Sequence, residues 1–407
     1  MHRILGITAL AAIVLFAVPL SADELRPVTH EDVWTMNRLG TPAISPDGRS
    51  AVVSVKEPSY EEDGDVSDLW LIDVGGEKEP RRLTATKPGE SDVAWRPDGG
   101  AIAFSAKRGD DEVSQVYVLD MTGPGEAVAV TSLSTGASNP VWSPDGSKIA
   151  FQSKVFPGAA DDEANKEEKK AREERKYNVS AYDIFPIRQW DNWRDDKQVH
   201  LFVQDAVADA EATDLMAGSE LVDKPGFQGT PSLSGNGLNA AWTPDGESLV
   251  FNATVNLDQA AHTPVVYHLY RVSLEGGEPK QVTDSADWSC TSPQFSADGK
   301  WLYCSVSPEN DLVYNHNDIG RFKWKKRGTL GQPELLTAGF DRSPGDFDLS
   351  DDGETVYFTA ADAGRSRVFS VPASGGDVTM LDPGSRGVYA GIQAAGGQLV
   401  ARWENSA

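Results

Sequence analysis

One short pattern recurs along this chain and constrains its fold more than any other feature: an apolar step, a polar residue, then Pro-Asp-Gly. Copies, some with Ala or Asp in place of Pro, stand at 43–48, 94–99, 141–146, 241–246, 294–299 and 348–353, with a degenerate copy at 393–397. Pro presets φ at the second position of a type I turn, Asp suits the third, and Gly takes the left-handed conformation that closes a bulged hairpin. Apolar runs flank each turn: Ile102-Ala103-Phe104, Ile149-Ala150-Phe151, Leu249-Val250-Phe251, Leu302-Tyr303-Cys304 and Val356-Tyr357-Phe358 follow it. These read as half-buried or buried strands. Third strands read at 69–73, 116–120, 200–204, 268–272 and 367–371, and fourth strands end near Thr84, Thr283 and Thr337. Four strands per unit is a propeller blade.

The turn glycines Gly48, Gly99, Gly146, Gly246, Gly299, Gly353 and Gly397 are 51, 47, 100, 53, 54 and 44 residues apart, against a blade period of roughly 40–50. The gap of 100 contains one third-strand pattern, so it reads as an insertion over about 155–197. The expected fold is therefore all-β: a seven-bladed β-propeller at 41–407, with six full blades and a truncated seventh made of strands at 388–392 and 398–402. A half-blade leaves an unpaired edge, so the polypeptide is expected to continue. Residues 23–40 read as a helical lead-in, where Thr29 and Asp32 can cap a short helix carrying Val33, Trp34 and Met36.

The 407 residues carry 62 acidic against 37 basic side chains, a formal net charge of −25. That balance disfavours nucleic acid and anionic lipid as partners, since both require Lys and Arg. Arg3, an apolar run over 4–20 and the small pair Ser21-Ala22 read as a signal peptide at 1–22 and an exported, periplasmic or secreted protein; a retained anchor is the alternative. No later stretch is apolar enough to cross a membrane. Cys290 and Cys304 flank one hairpin, and read either as a disulfide or as two small buried hydrophobes.

The insertion opens with charged helix formers at 161–176. Asp162 with Lys166, and Glu168 with Arg172, are acid-first pairs four apart; the segment reads as a solvated helix or a flap. Next come Phe185, Arg188, Trp190, Trp193 and Arg194, aromatics beside arginines. Such a mixture is typical of binding surfaces, although Phe185, Trp190 and Trp193 equally read as glue between insertion and propeller.

A catalytic apparatus is not found. No Gly-x-Ser-x-Gly elbow, phosphate loop or His-Glu-x-x-His occurs, and the six His are scattered. The turn carboxylates are explained by turn chemistry. No cofactor or metal site is expected.

The repeat, Trp-Ser-Pro-Asp-Gly-x-x-Ile-Ala-Phe in blade three, resembles the propellers of the prolyl oligopeptidase family of serine peptidases and of TolB. The TolB likeness would imply a separate α/β domain before the propeller, where this chain starts its first blade. The stretch from Tyr182 through Pro186-Ile187-Arg188-Gln189-Trp190-Asp191 to Val203, and the opening Val28-Thr29-His30-Glu31-Asp32-Val33, look like the acylaminoacyl and type-5 dipeptidyl branch. That resemblance implies a propeller that gates an α/β-hydrolase domain bearing Ser, Asp and His, admits short peptides and helps hold their amino end. It further implies that the hydrolase domain is missing from this chain or separately encoded, so that the chain alone is inactive. Arg188, Trp190, Trp193 and Arg194 are then expected at the substrate-facing rim. The insertion acids, Glu173 and Glu174 with Glu167 and Glu168, become candidates for binding the free amine. The rival expectation is a stand-alone periplasmic binding propeller.

Overall fold

The computed structural model describes residues 27–60, 64–86, 89–177, 179–182, 186–232, 235–310, 312, 314–384 and 386–405; the signal segment and Phe185 lie outside them. The first unit, through Met36, contains helix α1 (His30–Trp34), where Thr29 and Asp32 form a reciprocal capping box. The second unit, from Asn37 on, contains the sheets.

Each Pro-Asp-Gly turn joins an inner strand to a second strand, and the sheet continues antiparallel to a third and a short fourth. Blade 1 is Ala43–Ile44, Ser50–Ser59, Gly64–Asp73 and Arg81–Arg82, with Arg38–Leu39 also paired to its second strand. Blade 2 is Glu90–Trp95, Ala101–Ala106, Gln115–Asp120 and Val128–Ala129. Blade 3 is Ser138–Trp142, Lys148–Val155, Gln198–Asp205 and Thr213–Asp214. Blade 4 is Ala240–Trp242, Ser248–Ala253, His268–Ser273 and Lys280–Gln281. Blade 5 is Trp288–Phe295, Trp301–Pro308, Asp318–Lys323 and Glu334–Leu335. Blade 6 is Pro344–Leu349, Thr355–Asp362, Arg365–Pro372 and Thr379–Met380.

The seven-bladed expectation is therefore corrected. Among the described residues there are six blades, and Val388–Ala395 with Gln398–Glu404 forms a separate two-stranded sheet. The miscount has a physical origin. The repeated turn reports one hairpin between inner and second strands, and a hairpin is only half of a blade. Around 393–397 the turn is present without the third and fourth strands that make its sheet a blade.

This hairpin bridges the last blade to the first. Three carboxylates of blade 6 and its turn accept its backbone N–H groups: Asp346 from Gly391 at 2.9 Å, Asp348 from Ala394 at 2.8 Å and Asp351 from Gly397 at 2.8 Å. On the blade 1 side, Gln393 accepts from Ile44 N at 3.1 Å and Arg402 donates to Leu39 O at 2.8 Å.

The repeat also locks neighbouring blades. The indole of Trp95 donates to Ala43 O, Trp142 to Ala94 O and Trp242 to Val141 O, at 2.8–3.0 Å. Each bond runs to the inner strand of the preceding blade. Between blades the core is apolar. Phe151, Trp142, Ile149 and Phe202 pack with Ala101, Ala103 and Val116 of blade 2. Between blades 4 and 5, Val250 and Leu269 pack with Cys290, Leu302 and Cys304. Cys290 and Cys304 are joined as a disulfide, Cα–Cα 5.8 Å.

Candidate functional site: the insertion end of blades 3 to 5

The antiparallel order gives the propeller two unlike ends. The Pro-Asp-Gly turns lie together at one: a Cβ on Gly99 would stand 3.9 Å from Pro46, on Gly146 3.7 Å from Pro97, and on Gly246 3.8 Å from Pro144. The turn acids are consumed in holding these turns. Asp145 accepts from Ser143 Oγ at 2.6 Å and from Ser147 N at 3.0 Å. The Ser143 bond first, then the Ser147 amide, hold its carboxyl down to about 2. The connections between second and third strands necessarily emerge at the opposite end, and the insertion of blade 3 is the longest of them.

In that insertion, α2 (Asp162–Glu173) is capped by Asp161, which accepts from Ala164 N. Asp162 pairs with Lys166 at 3.0 Å and Glu168 with Arg172 at 2.6 Å. Further bonds fasten the helix to its surroundings. Asp162 accepts from Ser134 N and Oγ, Lys169 reaches Glu112, and Arg172 grips Asp196 through both terminal nitrogens. Buried Asn165 accepts from Phe156 N at 2.8 Å and donates to Asp161 O at 3.0 Å.

The aromatic stretch becomes a small hairpin, Arg188–Gln189 paired with Asn192–Trp193. Trp190 sits at its tip with φ +54° and is 84 % exposed. A bulky side chain in the left-handed region costs roughly 1–2 kcal/mol. Trp193 is 65 % exposed and stacks on Tyr182 with ring centroids 6.2 Å apart. Arg188 is exposed, while Arg194 folds inward and is half-buried. It donates to Pro186 O at 3.2 Å and to Gln228 Oε1 at 2.8 Å.

Glu173 and Glu174 do not join this group in one cavity. Glu173 lines a separate cavity of about 400 Å³ with Lys166, Lys169 and Lys170 of its own helix and with 110–113 of blade 2. Glu174 is the exposed C-cap of α2, Glu167 is exposed, and Glu168 is tied up with Arg172 and Arg175.

The structure adds residues that no motif marked. Tyr267, Glu309 and Ser289 come together at the starts and ends of strands in blades 4 and 5, and Tyr267 feels the charge of Arg194. Burial first, then the charge of Glu309, raise the Tyr267 phenol to about 12, with Arg194 opposing. Ser289 Oγ donates to Glu309 Oε1 at 2.5 Å and accepts from Tyr267 N at 2.9 Å.

A second feature lies on the inner strands. Asp92, Asn139, Asn239 and Ser292 share one repeat position, three before the repeat's aromatic, and all have positive φ. Asp92, Asn139 and Asn239 line a cavity of about 280 Å³ with Gln152. Short polar residues tolerate this backbone, and that spacing was the readable signal.

One buried histidine resembles catalytic geometry. His200 Nδ1 lies 2.8 Å from Asp214 Oδ2, but among the described residues its Nε2 has no hydrogen-bond partner, and none of them sets a hydroxyl for activation there. Among the described residues no group of three His, Cys, Asp or Glu is placed to hold a metal ion.

The fold is that of a β-propeller, and the comparisons with known proteins find similarity to TolB-like and peptidase propellers. The family model for the TolB beta propeller domain matches residues 28–169. The chain is similar to dipeptidyl-peptidase 5 of Porphyromonas gingivalis, 23% identical over 374 residues, which cover 88% of this chain and 49% of the relative. It thus spans about half the length of the curated relative it matches. Among solved structures, the acylaminoacyl peptidase of Pyrococcus horikoshii superposes with a TM-score of 0.62 at 15% identity, over 91% of this chain and 50% of that one. The β-propeller domain of the trilobed protease from Pyrococcus furiosus gives 0.55 at 14% identity, over 91% and 90%.

Proposed function

We propose that this chain is the peptide-admitting propeller of an exported serine exopeptidase of dipeptidyl or acylaminoacyl type, and that acyl transfer is performed by an α/β-hydrolase domain outside these residues. The observation that carries the reading is the similarity to dipeptidyl-peptidase 5 across 88% of this chain. The Cys290–Cys304 disulfide is in keeping with an oxidising compartment, and hence with export. The propeller's part is to bind short or unfolded peptides at its insertion end and to exclude folded proteins from the hydrolase.

The test is calorimetric titration of the purified 407-residue protein with unstructured di- to pentapeptides and with a small folded protein. Peptide binding without hydrolysis is expected, with no binding of the folded protein. Absence of peptide binding, or peptide hydrolysis by the purified chain, overturns the reading. A free-standing binding propeller is the second reading, favoured by the TolB description of the matching family model.

A further inference from the structure

Arg194 differs in its company from most of the other part-buried arginines. Arg108 pairs with Glu90, Arg172 with Asp196 and Glu168, Arg321 with Glu334, and Arg342 with Asp341 and Asp362. Arg194 has no carboxylate among the described residues; its side-chain bonds go to two neutral oxygens, Pro186 O and Gln228 Oε1. The acids that follow it in sequence are engaged elsewhere. Asp195 pairs with Lys197 at 3.2 Å, and Asp196 is held by Arg172 at 2.6 Å.

A guanidinium has five N–H donors, and two are used here. The two bonds fix the plane of the fork from opposite segments, Pro186 in the insertion and Gln228 ahead of blade 4. Three donors remain, pre-oriented, in a partly desolvated place. Burial lowers the proton affinity of Arg194, so the cation sits there at an electrostatic cost that a protein of net charge −25 had ample acids to offset.

Tyr267 supplies the complementary donor. Among the described residues its hydroxyl makes no hydrogen bond, and the phenol keeps its proton throughout the neutral range. Trp193, adjacent to Arg194 in the chain, and Trp190 add exposed aromatic surface on the same hairpin. Planar guanidinium, neutral phenol and aromatic faces together match a carboxylate carried next to an apolar group.

We propose that Arg194 and Tyr267 form a binding point for the carboxylate of a short peptide, with Trp190 and Trp193 covering the adjacent apolar side chain. The proposal rests on the peptide-binding reading above and adds the charge that is recognised. The carboxylate has two possible sources, a free C-terminus or an Asp or Glu side chain, and both present the same oxygens to the fork.

The test uses the intact chain and three probes: N-acetyl-Ala-Phe with a free carboxylate, its C-terminal amide, and N-acetyl-Asp-Phe amide. Titration calorimetry is expected to show the acid binding at least tenfold tighter than the plain amide, with the preference shrinking as salt rises. Tight binding of the Asp-containing amide assigns the site to side-chain carboxylates, and tight binding of the free acid alone assigns it to C-termini; either result supports the site. Arg194→Gln is expected to abolish the preference for the acid over the plain amide. Tyr267→Phe, which removes a single oxygen and preserves packing, is expected to reduce it about threefold. Thermal melts of both variants check folding, and if Arg194→Gln does not fold, the Tyr267→Phe and probe comparisons decide. Equal binding of acid and plain amide by the wild-type chain overturns the carboxylate site and leaves the peptide-binding reading standing. No binding of any probe overturns both.

Discussion

Asp348 makes the closure of the propeller sensitive to pH, in a direction opposite to that of most carboxylates. Burial raises its carboxyl from the ordinary 3.8 to about 6, against the opposing N–H bonds of Ala394 and Leu349 and with help from the charge of Asp351. The folded state therefore holds this proton more tightly than the unfolded chain does. Its contribution is fully present below about pH 4 and is lost as pH rises through about 6. Each tenfold change in proton affinity is worth about 1.4 kcal/mol, so the ceiling is about 3 kcal/mol. Asp348 retains some solvent contact, which brings the expected figure to about 1–2 kcal/mol. Asp348→Asn keeps an oxygen to accept from Ala394 N and carries no charge. Urea unfolding at pH 4.5 and pH 8 should show the variant close to wild type at the acid value and about 1–2 kcal/mol more stable at the alkaline one. Subtracting the two proteins cancels the titration of the other acids. Amide exchange at Gly391, Ala394 and Gly397 should slow in the variant above pH 6, because the hairpin hangs on these bonds. A variant less stable than wild type at pH 8, or a difference that does not change with pH, refutes the reasoning.

Three further outcomes follow from the packing. Trp142→Phe keeps the ring but removes the indole donor to Ala94 O, and should cost about 0.5–1.5 kcal/mol in chemical denaturation. Asn165→Ala removes the side chain that ties α2 to Phe156 N; a loss of about 1–3 kcal/mol and faster proteolysis within 160–176 are expected, whereas Lys169→Ala, which breaks an exposed pair, should cost under about 1 kcal/mol. Replacing Cys290 and Cys304 together by Ala frees a loop closed across a separation of 14 residues; a loss of about 2–4 kcal/mol is expected, matched by the effect of reductant on the wild-type melt.

The repetitive part of the molecule was legible in the sequence because one local rule, Ser or Thr with Pro-Asp-Gly, writes the same hairpin again and again. The strands around Phe104, Phe151 and Phe251 followed from it. The number of blades did not, since turns count hairpins and a blade needs two of them. The acid-first pairs of 162–172 left helix and flap open. What decides for the helix is Asn165 and Asp162, whose partners Phe156 and Ser134 lie outside it. The aromatic hairpin was marked by composition, and Arg194 with it. Tyr267, Gln228 and Glu309 were invisible, because they come from three different connections and meet only when blades 3, 4 and 5 stand side by side. The pairing of the two cysteines stayed open for a similar reason, since spacing alone does not set which side chains face each other across a bulge at Thr291 to Gln294.

The two ends of the propeller divide the labour. At the turn end the repeat's acid is mostly spent on its own Ser, Thr and backbone N–H groups, as in Asp145, Asp298 and Asp352, so that surface is repetitive and chemically quiet. At the other end the connections from second to third strand do not repeat. The connection from second to third strand is two residues in blade 6, at Ala363 and Gly364, and 42 in blade 3, from 156 to 197. Large exposed apolar side chains gather in these connections: Trp190 and Trp193 in blade 3, and Leu312 and Tyr314 in blade 5. A rigid ring held by interblade indole bonds can carry such variable loops without losing stability. On the peptide-binding proposal, specificity is expected at the insertion end, and substitutions at the turn end should change stability, read in urea unfolding, while leaving the calorimetric peptide preference alone.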